Sequence, residues 1–113
     1  MFASGQQLAQ SRPANTSAAT AFTASVRTEI TAIVICNTTG SATTFSIYHD
    51  DDGTTYDQTT ALVYAAALAA NTTITIGAEG AGAGVLIKAG GSLGIQSGTS
   101  NACNFSIYGV TQS

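Results

Sequence analysis

From residue 17 onward, apolar side chains recur at every second position in short runs, and each run stops at a cluster of Gly, Asn, Asp, Ser or Thr. A two-residue period places alternate side chains on opposite faces of an extended strand, so this pattern predicts strands with one buried face. Ala18, Thr20, Phe22, Ala24 and Val26 form the first run. In EITAIVICNTTG, Ile30, Ile33, Val34 and Ile35 put apolar groups on both faces, which predicts a central strand buried on both sides. ATTFSIYHD sets Phe45 and Ile47 against Ser46 and Tyr48. TALVYAAALA is alanine-rich, as helices often are, yet Leu62, Tyr64, Ala66 and Leu68 keep the period of two. NTTITIG separates Thr72, Ile74 and Ile76 from Thr73 and Thr75, and VLI, SLGIQSG and NACNFSIYGVTQ follow. About eight strands spaced by turn signals predict an all-β fold, an antiparallel β-sandwich or jelly-roll-like domain.

A chain of 113 residues holds one core of this kind. Residues 1–16 are polar, carry Pro13 and show no period, so they are expected to form an extended N-terminal arm, with residues 17–113 as the single sandwich domain. Charged residues are only 8% of the chain, against roughly 25% in typical soluble domains, so Thr, Ser, Asn and Gln must carry the hydration of the surface. Arg12, Arg27 and Lys88 are the only Lys or Arg in a chain of formal charge −3, too few to neutralise a phosphate backbone, which argues against nucleic-acid binding. MFASGQQLAQSRP lacks a basic start and an apolar run, and no stretch reaches the ~20 apolar residues of a membrane span. Synthesis in a cytosol is the expectation, and with it two buried thiols, Cys36 and Cys103, in place of a disulfide.

FSIY occurs at residues 45–48 and again at 105–108, and the correspondence runs backwards without a gap through Thr38 and Gly98, Ile35 and Ile95, and Ile33 and Leu93. Two readings stay open: convergence of two strand pairs on similar core residues, or a duplication that sets two related hairpins facing each other across the core.

Few residues offer chemistry. Asp50, Asp51, Asp52 and Asp57 concentrate the charge, but their spacing differs from a calcium-binding loop and no Glu closes it. Consecutive residues of an extended loop point in different directions, so a hairpin turn built on Asp52 and Gly53 is expected in place of a metal site. His49 beside these carboxylates could serve as a base, but no GxSxG elbow or other positioned nucleophile accompanies it, and a surface histidine at a strand end is the simpler reading. Cys36 in an apolar strand reads as inert packing. GAEGAGAG lacks the Lys and the following helix of a phosphate loop and reads as a flexible loop or contact surface. With no Trp and scattered Tyr, no stacked aromatic platform for carbohydrate is evident. No catalytic residue, cofactor or metal is assigned.

The order NTTGSATTFSIYHDDDGTTYD, TALVYAAALAANTTITI and KAGGSLGIQSG, spanning roughly residues 28–110, resembles small virion proteins of tailed bacteriophages and prophages. The shared features are turn and strand residues without catalytic content. The resemblance implies a structural virion protein, preferably a capsid decoration (cement) protein that binds the assembled head and stabilises it. A tail adaptor, fibre or receptor-binding module is the alternative. The implied partners are the major capsid protein or another virion protein, and further copies of the chain, a trimer slightly before a dimer, with the outer capsid surface as location. Candidate contact residues are Phe2, Gln6, Leu8 and Arg12 in the arm, Asp50, Asp51, Asp52 and Asp57 in the acidic loop, and Glu79 and Gly82 in the glycine-rich loop.

Overall fold

The structure, a computed structural model, describes residues 5–77 and 85–111. Nine strands run in the order β1 (Gln6–Ser11), β2 (Ala19–Thr23), β3 (Thr28–Asn37), β4 (Thr43–Asp50), β5 (Ala61–Leu68), β6 (Thr73–Gly77), β7 (Val85–Ile87), β8 (Ser92–Ser97) and β9 (Cys103–Thr111). They form two antiparallel sheets. Sheet A has the order β1-β9-β3-β6, with β7 also paired to β3, and sheet B has the order β2-β8-β4-β5. The all-β class is as expected, and the sheets pack as a β-sandwich.

The alternation explains the core. Ile33 and Ile35 of β3 lie opposite Ile107 and Phe105 of β9, while Ile47 of β4 lies opposite Ile95 of β8, and all are buried. Phe45, Leu68, Ile87, Leu93 and Cys103 belong to the same layer, with Ala24, Ile30 and Ala102. Each large apolar side chain taken out of water in this way stabilises the fold by about 1.5–3 kcal/mol. Hydroxyls buried at the margins are paired: Thr28 Oγ1 donates to Val26 O at 2.9 Å, and Thr43 and Thr99 share a bond at 2.8 Å. Threonine therefore serves twice, as a strand former and as a polar group that finds a partner close by.

Several expectations need correction. Residues 6–11 are not a free arm, because β1 pairs with β9 along its length and Leu8 and Ala9 pack against the core. A bulge between Gln7 and Ala9 turns two consecutive side chains inward, which erases the period of two that would have marked the strand. β3 is central but buried on one face only. Its outward Ala32, Val34 and Cys36 are half-buried, and a bulge beside Thr31 lets Ile30 and Ile33 both face inward despite their spacing of three. β5 is a strand, yet Leu62 and Tyr64 are exposed while Val63, Ala66 and Leu68 pack inward. Ala65, at φ 50°, sits where the register slips and flips the phase midway.

The two copies of FSIY occupy equivalent places. β3 leads to β4 through residues 38–42, from sheet A to sheet B, and β8 leads to β9 through 98–102, from sheet B to sheet A. The repeated units are thus arches between sheets and not hairpins, and each FSIY strand pairs with the apolar strand of the other half. Their turns match in detail. Asn37 Oδ1 accepts from the Thr39 N–H at 3.0 Å, and Ser97 Oγ, sixty positions on, accepts from the Thr99 N–H at 3.4 Å. Neighbouring strands follow the same internal twofold relation: β6 flanks β3 as β2 flanks β8, and β1 flanks β9 as β5 flanks β4.

Candidate functional site

The acidic loop leaves the end of β4 and folds back on itself. Asp50 Oδ2 accepts from the N–H groups of Thr54 (2.9 Å) and Thr55 (2.7 Å), and Asp52 Oδ1 accepts from the Thr54 N–H (3.1 Å) and hydroxyl (2.7 Å). Gly53 takes the positive φ of 72° that the turn requires, as its Asp-Gly sequence foretold. Asp57 Oδ1 accepts from the Thr59 N–H at 2.8 Å and hydroxyl at 2.5 Å. The Thr55 N–H is the main cause that holds the Asp50 carboxyl below its usual range, and the Thr59 hydroxyl does the same for Asp57.

The loop is curled and not extended, so one oxygen each from Asp50, Asp51 and Asp52 comes within 4.8 Å of the others, which corrects the divergence expected of consecutive residues in an extended loop. The bonds to Thr54 draw Asp50 and Asp52 together, because both carboxylates accept from its N–H. Lys88 Nζ stands 3.6 Å from Asp51 Oδ2 with both side chains largely exposed, a pair worth between nothing and about 1 kcal/mol.

Tyr56, at the centre of this loop, lies over the outer face of sheet B. A Cβ on Gly94 would come within 2.6–2.8 Å of its ring, so the glycine leaves the space the ring fills. The ring also packs on Tyr48, with centroids 5.9 Å apart, and its hydroxyl shares a 2.6 Å bond with Thr20 Oγ1. Tyr48, although it points outward, is consequently 1% exposed. Neither Tyr56 nor Gly94 stood out as a site residue, although a glycine inside the strand SLGIQS was the available signal.

Beyond Tyr48 on the same face, a shallow cleft of about 310 Å³ opens between Thr44, Ser46, Tyr64, Ala65, Gln96 and Ser97. Three of the polar groups in and beside it are engaged internally: Ala65 N–H donates to Ser46 Oγ at 2.8 Å, Ser97 Oγ donates to Thr99 O at 2.7 Å, and the Tyr48 hydroxyl donates to Gln96. His49 is half-buried at the end of β4, opposite Leu93, and its backbone N–H donates to Thr60 O at 2.9 Å. Cys36 and Cys103 are free thiols, the first half-buried on the outside of sheet A and the second buried inside.

The candidate contact residues do not converge. Gln6 and Leu8 lie in β1, and Arg12 donates to Thr38 Oγ1 near the β3–β4 arch. Asp50, Asp51, Asp52 and Asp57 lie at the other end of β4, a strand length of about 25 Å away. Phe2, Glu79 and Gly82 fall outside the described residues. Compared with family models, curated proteins and solved structures, the chain matches none.

What the described residues share is a segregation of charge. Arg27, Glu29, Asp50, Asp51, Asp52, Asp57 and Lys88 gather at the end of the sandwich where β3 begins and β4 finishes. At the opposite end Arg12 is the only described charge, among the turns 38–42, 69–72 and 98–101. Asn71 and Asn101 adopt positive φ there, 53° and 56°, which asparagine tolerates better than most residues. That end presents mostly threonine, serine, asparagine, alanine and glycine.

Proposed function

We propose that this chain is a non-enzymatic structural protein of a phage virion, a decoration protein that binds the assembled head and stabilises it. Charge placement supports this reading most directly. A domain whose charges gather at one end can set its neutral end on a protein lattice with little desolvation cost while the acidic end stays in water. The hydroxyls and amides at the neutral turns supply donors and acceptors for such a contact, and the resemblance of residues 28–110 to small phage virion proteins names the lattice to try first.

The mechanism is mass action. Binding to the assembled shell and not to its separated subunits stabilises the shell by about 2.7 kcal/mol per site when free protein is at 100 times its dissociation constant.

Cryo-electron microscopy of the particle from the encoding phage tests the reading. Density for a sandwich of 44 × 27 × 23 Å repeated over the icosahedral shell, neutral end inward, is the expected result. Density restricted to the tail would replace decoration by an adaptor or fibre role, and density on neither would overturn a virion role.

A further inference from the structure

The internal twofold relation makes Tyr48 and Tyr108 counterparts, each the last residue of its FSIY copy and each on the outer face of its sheet. Their surroundings differ. Tyr48 is covered by Tyr56 and is 1% exposed, whereas Tyr108 is 37% exposed. No described residue covers sheet A as the acidic loop covers sheet B. Around Tyr108 the outward rows run Gly77, Ala32, Tyr108, Gln7, then Thr75, Val34, Ser106, Gln10, then Thr73, Cys36, Asn104. None of these residues is charged. Glu29 is met only at the margin, between Leu86 and Val110.

We propose that the outer face of sheet A is a homotypic interface, on which a second copy of this chain packs face to face about a twofold axis and covers Tyr108. A twofold interface must be complementary to itself. A face bearing one sign of charge fails that condition, whereas neutral hydroxyls and amides, which both donate and accept, around one aromatic ring satisfy it. The chain carries a formal charge of −3, so two copies repel least where neither presents a carboxylate. Tyr56 shows what a cover on such a face supplies, an aromatic ring on the FSIY tyrosine and a hydroxyl bond at the rim, and the partner's own Tyr108 offers the same groups. Four strands at about 4.8 Å spacing and about 25–30 Å of strand length give roughly 500 Å² per copy. The total of roughly 1,000 Å² is at the lower bound for a specific interface, so the dimer should form reversibly, in the micromolar range or weaker.

Sedimentation velocity of the full chain in reductant, over a series of micromolar concentrations, tests this, with the alkylation rate of Cys36 as a second reading. Cys103 is fully buried, so Cys36 reports on the outer face of sheet A. A monomer–dimer equilibrium is expected, with Cys36 alkylation slowed several-fold as the dimer fills. Thr75→Asp should weaken association at least tenfold and keep Cys36 labelling fast at every concentration. Ala67→Asp, on exposed β5 of sheet B, should leave both readings as in the parent chain, and melting curves confirm that each variant is folded. A parent chain that stays monomeric at every concentration overturns the proposal and leaves the face to a different protein. A dimer that survives Thr75→Asp, or that leaves Cys36 labelling unslowed, places the contact elsewhere and overturns it equally.

Discussion

Phe45 and Phe105, the first residues of the two FSIY copies, meet edge to face across the sandwich with ring centroids 6.5 Å apart and planes inclined at 65°. Each comes from a different sheet, and both are buried. The repeated motif therefore supplies both halves of one contact. Replacing either ring by Ala should cost about 3–5 kcal/mol in urea unfolding. The double variant should cost less than the sum, because the second truncation removes a ring that has already lost its partner. Strictly additive losses would mean that the edge-to-face contact contributes nothing of its own.

Asn37 is fully buried and joins two turns at the neutral end. Its Nδ2 donates to Ser41 O (2.9 Å), Ala69 O (3.1 Å) and Leu68 O (3.3 Å), while Oδ1 accepts from the Thr39 N–H and hydroxyl. Asn37→Ala leaves several of these groups without a partner and should destabilise the protein by about 2–4 kcal/mol. Asn37→Asp keeps the acceptor but sets a carboxylate against the three carbonyls that share the two Nδ2 hydrogens, so it should be no better tolerated near neutral pH. An Asp variant as stable as the parent chain would contradict this assignment of bonds.

The Tyr56–Gly94 contact yields a double-variant test. Gly94→Ala places a methyl against the Tyr56 ring and should cost about 1–3 kcal/mol. In a Tyr56→Ala background the same change should cost much less, since the colliding ring is gone. Equal costs in both backgrounds, by urea titration, would mean that the glycine is needed for its backbone and not for the space it leaves.

Much of the sandwich was legible because Thr-Ile and Phe-Ile alternation is a direct statement of which face is wet, and the strands at 43–50, 73–77 and 103–111 follow it closely. The failures occur where one residue changes the phase. Ala65 at positive φ inverts β5, and bulges in β1 and β3 bring consecutive or three-apart residues to one face. Such irregularities are set by pairing with a distant strand, and a local period carries no trace of that pairing. The acidic loop was read correctly as a turn at Asp52 and Gly53 but incompletely, because Tyr56 acts through Gly94 and Thr20, which lie far from it in sequence.

Acid should loosen this loop first. Folding holds Asp50 and Asp57 below the usual carboxylate value of 3.8, so folded protein binds protons less readily than unfolded chain. Their stabilisation is therefore complete above the unfolded value and is lost as pH falls below about 4 through the folded values. Melting temperature should hold between pH 7 and pH 5 and fall below pH 4. In Asp57→Asn, whose amide oxygen can still accept from Thr59, that acid slope should be shallower. An unchanged slope in both Asp50→Asn and Asp57→Asn would remove these carboxylates as its source.

The pairing of β1 with β9 sets a timetable for synthesis on the ribosome. Gln6 lies opposite Gly109 and Ser11 opposite Phe105, so β1 has no strand to pair with until β9, about a hundred residues later, has followed it out of the exit tunnel. Sheet A also waits for β9 to sit between β1 and β3, and at about 5–20 residues per second that wait lasts several seconds. Glutamine-rich, with Leu8 as its one large apolar group, QQLAQS is well suited to such a delay, because it offers little apolar surface for wrong contacts before β9 arrives.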